Sequence, residues 1–334
     1  MRDHPPACGR PVRLFAWTVV GCTFVFLLNT YLTHGRGWPG AAATLTGTGD
    51  GWSFALLQAL LYAAALAAAV VLVRPGDGCE LRADAARLSA VAAFVTRAAF
   101  WAVLLVGLAD YAVSFLRAEE FLPALVGDGL TRDLGRPDYR GTRLHVPLIA
   151  AAVVIAAFTR GPGFTWLTLL VVAAELQIVI SRFVFSYEQA FMADLVRFWY
   201  GALFLFASAH TLMEEGHVRV DVIYAGLSTR TRGMVNAIGA VLFGMSLCTV
   251  ILTLGMWDKT NVIVSPLLAF EITQSGFGMY VKYLMAGFLA VFATSMMVQF
   301  AAMLLDGYAD WKEVPGGRTG PASGEGPAER APAR

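Results

Sequence analysis

Charge is scarce in this sequence. Of 334 residues, 25 are Lys or Arg and 24 are Asp or Glu, which is 15% in all, whereas soluble domains carry about 25%. Hydrophobic residues make up 57%, and the mean hydropathy is +0.61. These values exclude a water-soluble globular protein. The net charge of only +1 also leaves no basic excess for binding nucleic acid.

Cysteine is scarce as well. The sequence has four, and no two of them have the C-x-x-C spacing. Cys22 and Cys248 lie inside apolar runs, Cys8 is near the N-terminus and Cys79 is in a polar stretch. We therefore expect neither a disulfide framework nor a cysteine-based metal site.

Long apolar runs are abundant. Eight segments are nearly free of charge and approach the ~20 residues that a helix needs to cross a bilayer. They are 14–32, 52–73, 88–116, 144–159, 164–181, 190–213, 233–257 and 283–305. The sequence thus predicts an all-α polytopic membrane protein with about eight spans. Segment 144–159 is the shortest and has Pro147 near its start, so it fits either a short tilted helix or a re-entrant piece.

The loops set the orientation and the division of the chain. Segment 14–32 has spanning length and no A-x-A-like cleavage site after it, so it reads as a retained signal anchor. Lys and Arg are more frequent in the loops on the side of the N-terminus, which predicts that both termini are cytoplasmic. The stretch Arg-Gly-Pro-Gly at 160–163 is a natural break. We expect a four-span extension over 1–160, a four-helix core over 161–310 and a disordered cytoplasmic tail over 311–334.

A few polar residues interrupt the spans, and these suggest function because charge inside a membrane is costly. Glu175 lies near the middle of the fifth span, and Arg182 follows seven residues later on the same helical face. Glu175 fits a proton or ion relay or a contact with a partner subunit; it also fits a protonated carboxyl or one paired with an arginine on a neighbouring helix. Arg97 and Asp110 in the third span fit interfacial placement or pairing with each other.

One series resembles a metal site. His210, Glu214 and His217 have i, i+4, i+7 spacing at the end of the sixth span, which would place three ligands for zinc or iron on one face. Gly216 interrupts the helix before His217, however, and no H-E-x-x-H accompanies the series. A stand-alone membrane metal or redox enzyme using these three residues is therefore the alternative interpretation. With no G-x-S-x-G, P-loop or dinucleotide motif in a fitting context, we expect a protein that is not an enzyme, with no catalytic residues, metal or cofactor.

The stretch after the sixth span alternates charged and apolar residues. His217, Arg219 and Asp221 alternate with valines, and two more arginines follow at positions 230 and 232. This pattern is typical of a segment that lies on the membrane surface. We predict an arm over 217–232 in contact with membrane lipid at the cytoplasmic interface, with Ser228 as the N-cap of the next helix.

This stretch resembles the small permease subunit of the tripartite ATP-independent periplasmic (TRAP) transporters, the DctQ-like family, and within it the mannitol/chloroaromatic-compound-type branch. The resemblance covers roughly 164–310. It is carried by Arg182 with Phe183, by Asp194 at the start of the second matched helix, and by the block Gly216, His217, Arg219 and Asp221. Ala207 departs from the family, which usually has Gly there, and the family's four helices leave 1–160 unexplained.

The resemblance implies a scaffold in the bacterial inner membrane. By it, a large permease subunit carries the substrate and sodium sites, and a periplasmic solute-binding protein delivers an organic acid or a related solute. This chain would be non-catalytic and would support the large subunit, with Glu175, Arg182, Asp194 and the block acting as structural or interface residues. Arg182 and Asp194 flank one short turn, so we expect them to lie close enough to interact. A secondary transporter that acts alone is a further possibility.

Overall fold

The computed structural model describes residues 9–45, 51–73, 80–161, 164–213, 224–273 and 276–315. Within these ranges the chain forms helices and turns and no strand. Short π-helical turns join α5 to α6 and α9 to α10. The α-helices are α1 (Arg10–Thr30), α2 (Trp52–Leu72), α3 (Leu81–Ala118), α4 (Leu122–Leu134), α5 (Pro137–Arg140), α6 (Val146–Phe158), α7 (Phe164–Phe185), α8 (Ala190–Met213), α9 (Thr229–Gly239), α10 (Ser246–Met256), α11 (Val264–Ala269) and α12 (Lys282–Trp311).

Eight helical stretches of the described chain are long and apolar enough to cross a membrane, so the prediction of an all-α multi-pass membrane protein is confirmed. The spans are Arg10–Gly35, Trp52–Leu72, Leu81–Ala118, Pro137–Phe158, Thr165–Phe185, Ala190–Leu212, Thr229–Met256 and Lys282–Trp311.

The fourth span is longer than its apolar run suggested. It begins at Pro137, not at residue 144, and crosses a π-helical turn over Gly141–His145 before α6. The turn has a local cause: Pro147 has no N–H to donate four residues back, and its ring crowds the preceding turn. The first part of the span carries Arg140 and His145, and these polar residues lower the local hydropathy, so the start of the span is not evident from the sequence.

The helix α12 is the centre of the bundle. Of its apolar stretch 67% is buried, against 17% for α2 and α7. It packs against α3, α8, α9, α10, α11 and α1, whereas α2 packs mainly on α1, and α7 mainly on α8. The helices α2 and α7 are therefore peripheral and present most of their surface to the outside.

Two hydrophobic cores pack against different halves of α12. One combines α1 and the first half of α3 with α9, α10 and the second half of α12. The other combines the second half of α3 with α7, α8 and the start of α12. Helices from both sides of residue 160 thus contribute to each core, and packing runs across the predicted boundary between extension and core.

Charged pairs fasten one end of the bundle. At the end where α1 begins and α12 ends, called the termini end below, the buried Arg13 lies 2.6 Å from Asp84 and 3.3 Å from Glu80. Nearby, Arg82 lies 2.8 Å from Asp310 of α12. These pairs tie α1 and α12 to the start of α3.

Candidate functional site

Glu175 lies on the outward side of α7, near the middle of that helix. The inward side of α7 is formed by Leu167, Val171 and Ala174, which are buried against the second core. The opposite surface, which we call the α7 outer face, is exposed, and the side chains directly around Glu175 on it are apolar. It comprises Val172, Glu175, Leu176, Val179 and Phe183. A carboxyl group thus stands alone in a stripe of apolar side chains.

No hydrogen bond or ion pair joins Glu175 to any residue that the structure describes. Arg182, two turns further along α7, instead lies 3.5 Å from Glu188 in the following turn. Gln177 donates a hydrogen bond to the hydroxyl of Tyr111 on α3. The predicted pairing of Glu175 with an arginine of a neighbouring helix is therefore not formed within the described chain, and the carboxyl group is left facing outward.

The turn between α7 and α8 is held to the end of α3. Ser186 has a positive φ of 50°, a conformation that turns the chain sharply. The Tyr187 hydroxyl donates to the Glu119 carboxylate. Burial, reinforced by the charge of Glu119, raises the pKa of Tyr187 to about 12, so the phenol stays a neutral donor at physiological pH. The outward helix α7 is thereby held to the bundle at this end.

Asp194 is buried near the start of α8. Its carboxylate accepts a hydrogen bond of 3.0 Å from the backbone N–H of Met279 and lies 3.6 Å from Arg197. The structure does not bring Arg182 and Asp194 together, because each has its own partners and Arg182 points outward. Asp194 holds the chain segment that leads into α12.

A second acid, Asp110, organises a buried network that sequence reasoning did not assemble. The Asp110 network comprises Asp110, Ser114, Arg140, His145, Tyr280 and Tyr283. Asp110, Arg140 and His145 are all 0% exposed. One carboxylate oxygen lies 2.9 Å from Arg140 Nη1 and 3.1 Å from His145 Nε2, and the other accepts 2.7 Å from the backbone N–H of Tyr280. Both oxygens of a carboxylate inside the bundle are thus satisfied.

The rest of the network extends from Arg140 and His145. Arg140 also donates to the Ser114 hydroxyl at 3.1 Å and to the Leu134 carbonyl at 2.9 Å, and it lies 4.0 Å from the centre of the Tyr280 ring. His145 Nδ1 lies 2.8 Å from the Tyr283 hydroxyl. The network therefore joins α3, the α5–α6 connection and the start of α12.

Asp110 does not pair with Arg97, as one interpretation of the sequence proposed. The two residues are 13 positions apart on one straight helix, or about 20 Å at 1.5 Å per residue. The signal for the true partner was present, since an acid inside a span needs a cation and the loop before α6 is rich in arginine. The sequence could not say which arginine turns inward.

Some of the remaining predicted residues lie outside the described ranges, and the others lie inside them. Gly216, His217, Arg219 and Asp221 lie outside the described residues, as does Glu214 of the metal series; of the predicted arm, residues 217–223 precede Tyr224, where the description resumes. Within the described ranges no three His, Cys, Asp or Glu residues form a group that could hold a metal ion, so His210 is the one predicted ligand in view. The predicted N-cap is confirmed, because the Ser228 hydroxyl accepts from Thr231 N–H at 3.3 Å.

Comparison with known families places this geometry in context. Residues 168–310 match the model of the family described as tripartite ATP-independent periplasmic transporters, DctQ component. The DctQ match begins inside α7 and extends almost to the end of α12. It contains Glu175, Arg182, Asp194 and the Gly216–Asp221 block, whereas α1–α6 lie outside it. No curated protein and no solved structure matches the chain.

Proposed function

We propose that this multi-pass membrane protein is the small permease subunit of a TRAP-type secondary transporter, with an additional membrane region over residues 1–160. Its role is that of a non-catalytic scaffold for the large permease subunit. The DctQ match over 168–310 supports the transporter assignment. The observation that carries the scaffold role is the α7 outer face, with the carboxyl group of Glu175, which has no partner among the described residues, at its centre.

The physical argument concerns the cost of that carboxyl group in lipid. A charged side chain at the centre of a spanning helix costs about 2.5–3.5 kcal/mol on translocon-insertion scales. Within the described chain no group offsets this cost, and the surrounding side chains are apolar and exposed. A neighbouring subunit that donates a hydrogen bond or a cation to Glu175 would remove the penalty and cover the exposed side chains. We therefore assign the α7 outer face to the large permease subunit.

The finer details follow the resemblance. We propose that the protein lies in the bacterial inner membrane with both termini in the cytoplasm, and that it belongs to the mannitol/chloroaromatic-compound-type branch. The transporter would import an organic acid or related solute by symport. A periplasmic binding protein would deliver that solute. The block Gly216, His217, Arg219 and Asp221 would then lie in the arm at the cytoplasmic membrane surface, and residues 311–334 would form the tail. Arg182 and Asp194 would serve as structural residues that hold the ends of α7 and α8.

The experiment is co-purification of the full chain with the large permease subunit encoded beside it, followed by measurement of the dissociation constant in nanodiscs. Glu175→Leu is expected to weaken the complex about tenfold or more, because a hydrogen bond to a charged group contributes about 1.5–3 kcal/mol. The same substitution should leave the isolated chain equally or more stable towards unfolding, since it removes a carboxyl group from lipid. A weaker complex together with an isolated chain of equal or higher stability would indicate an interface role, whereas a less stable isolated chain would indicate a structural role.

Asp128→Asn is the matched control, because it removes one exposed carboxylate from α4, outside the spans. It should leave the dissociation constant unchanged. Failure of the wild-type chain to form any complex with the large subunit would refute the scaffold function. A stable complex with unchanged affinity in Glu175→Leu would refute only the assignment of the α7 outer face.

A further inference from the structure

A polar pocket of about 200 Å³ lies between α3, α8, α12 and the end of α6. Its polar side chains are Thr96, Arg97, Arg160, His210 and Gln299, and the rest of the lining is alanine. Two arginines thus face one small cavity, and none of the described residues that line it carries a carboxylate.

Arg97, Arg160 and Gln299 have polar groups in this pocket that lack partners among the described residues. Arg97 Nε is buried without a hydrogen bond, and neither arginine forms an ion pair with any residue that the structure describes. Gln299 is 3% exposed, and its side-chain carbonyl oxygen is also buried without a partner. The fully buried arginines of the bundle, Arg13 and Arg140, each contact a carboxylate. An arginine without a counter-charge in a spanning helix is costly, and an anion bound in this pocket would offset that cost.

An apolar cavity of about 370 Å³ lies between the same four helices, further from the termini end. Its walls include Ala102 of α3, Ile149 of α6, Phe206 of α8 and Phe288 of α12. Along α8 the lining passes in one turn from Phe206 of this cavity to His210 of the polar pocket. The cationic polar pocket and the apolar cavity therefore lie next to each other along the same helices.

The level of the polar pocket suits a lipid headgroup. The fourth span ends at Phe158, and Arg160 follows it directly, so Arg160 marks the end of that span. The helices α3 and α12 continue beyond this level towards the termini end. Arginine side chains reach from such positions towards the interface.

We propose that this region binds an anionic phospholipid from the leaflet at the termini end. The phosphate contacts Arg97 and Arg160, which form strong charge-assisted hydrogen bonds with phosphate oxygens, and one acyl chain occupies the apolar cavity. Gln299 selects the headgroup further, because its free carbonyl oxygen needs a donor. A glycerol hydroxyl supplies that donor, so phosphatidylglycerol is the lipid that satisfies all of these groups.

The experiment is native mass spectrometry of the full-length chain released from nanodiscs of phosphatidylcholine with increasing phosphatidylglycerol. The wild-type chain should retain one phosphatidylglycerol in preference to phosphatidylcholine. Arg97→Gln and Arg160→Gln should each lower the apparent affinity about tenfold, as expected for loss of a charged hydrogen bond. Ala102→Leu, which fills the apolar cavity, should also reduce retention while leaving both arginines in place.

Arg143→Gln is the matched control, because it removes an exposed arginine from the opposite end of the bundle. It should retain the lipid like the wild type. Equal retention by the Arg97 and Arg160 variants would overturn the proposal, as would equal retention of phosphatidylcholine by the wild type. Inorganic phosphate is the second probe: if it protects the chain from thermal unfolding as well as the lipid does, the site takes a free anion and the lipid assignment is wrong.

Discussion

Asp110 shows how one buried residue holds this bundle. Its carboxylate joins a guanidinium and an imidazole from the α5–α6 connection to a backbone N–H from the segment before α12. Such an arrangement is not a source of large net stability, because desolvation offsets much of the Coulomb attraction. Loss of one partner is costly all the same, since the other charge stays buried and unpaired. The network therefore specifies which helix surfaces meet.

The first prediction at this scale concerns Asp110→Asn. We expect a loss of about 3–5 kcal/mol in the free energy of unfolding, because the Arg140 guanidinium is left uncompensated. The measurement is unfolding of the purified chain by titration with sodium dodecyl sulfate, followed by far-ultraviolet circular dichroism. Combining Asp110→Leu with Arg140→Met should recover part of the loss, since neither charge then remains.

Asp138→Asn provides the comparison on a neighbouring helix. Asp138 and Arg136 form an exposed ion pair of 2.7 Å, and pairs of this kind contribute about 0–1 kcal/mol. A similar loss in Asp110→Asn and Asp138→Asn would contradict the role assigned to the buried network.

Single residues also show where sequence reasoning succeeds and where it stops. Glu175 was recognisable because it interrupts an apolar run, and its location on the outside of α7 keeps it exceptional in the structure. Arg140 was not recognisable, because nothing in the loop before α6 distinguishes an arginine that turns inward from those that face water. A hydropathy profile describes each segment separately, whereas packing between segments determines which residue pairs with a buried charge.

At the scale of the helices, α9 and α12 approach so closely that only small residues fit. A Cβ atom on Gly233 would lie 2.6 Å from the carbonyl oxygen of Gly307 and 2.6 Å from the backbone nitrogen of Trp311. A Cβ atom on Gly307 would lie 2.9 Å from the backbone nitrogen of Ala237. Small residues at four-residue spacing, here Gly233 and Ala237, are common at helix crossings in membranes.

Gly233→Ala is therefore expected to destabilise the chain by about 1–3 kcal/mol, the usual cost of overpacking. Gly239→Ala is the control on the same helix, because a Cβ atom there would meet no atom within 4 Å. That change should be neutral or slightly stabilising, since Ala favours helix over Gly by about 1 kcal/mol. Thermal unfolding of both variants in one detergent makes the comparison, and equal stability of the two would disprove the close crossing.

The helix ends illustrate a second limit of sequence reasoning. Eight spans were predicted and eight are present in the described chain, because an apolar run near bilayer length rarely forms anything except a spanning helix. The start of the fourth span was missed by several residues, because Arg140, in a stretch that reads as a polar loop, is paired with Asp110 of another helix. The crossing of Gly233 and Gly307 could not be predicted either, since the small residues of α9 do not indicate which distant helix they face.

At the scale of the whole molecule, the open question is whether the region that matches the DctQ family stands alone. The sequence suggests an independent core after residue 160. In the structure, however, the central helix α12 packs against α3 and α1 as well as α8 and α9. The Asp110 network crosses the same boundary, because Asp110, Arg140 and His145 precede it while Tyr280 and Tyr283 follow it.

We therefore predict that residues 161–334 expressed alone are unstable, because α12 would expose to lipid the small and polar surfaces that α1 and α3 now cover. Co-expression of 1–160 with 161–334 as separate chains should restore a monodisperse complex, since the break falls in the connection between α6 and α7. Size-exclusion chromatography and thermal unfolding of the two preparations provide the measurement. A monodisperse 161–334 fragment that unfolds at the temperature of the intact chain would instead establish an autonomous four-helix core. In that case the first six helices would serve a separate purpose, and the packing across residue 160 would contribute little to stability.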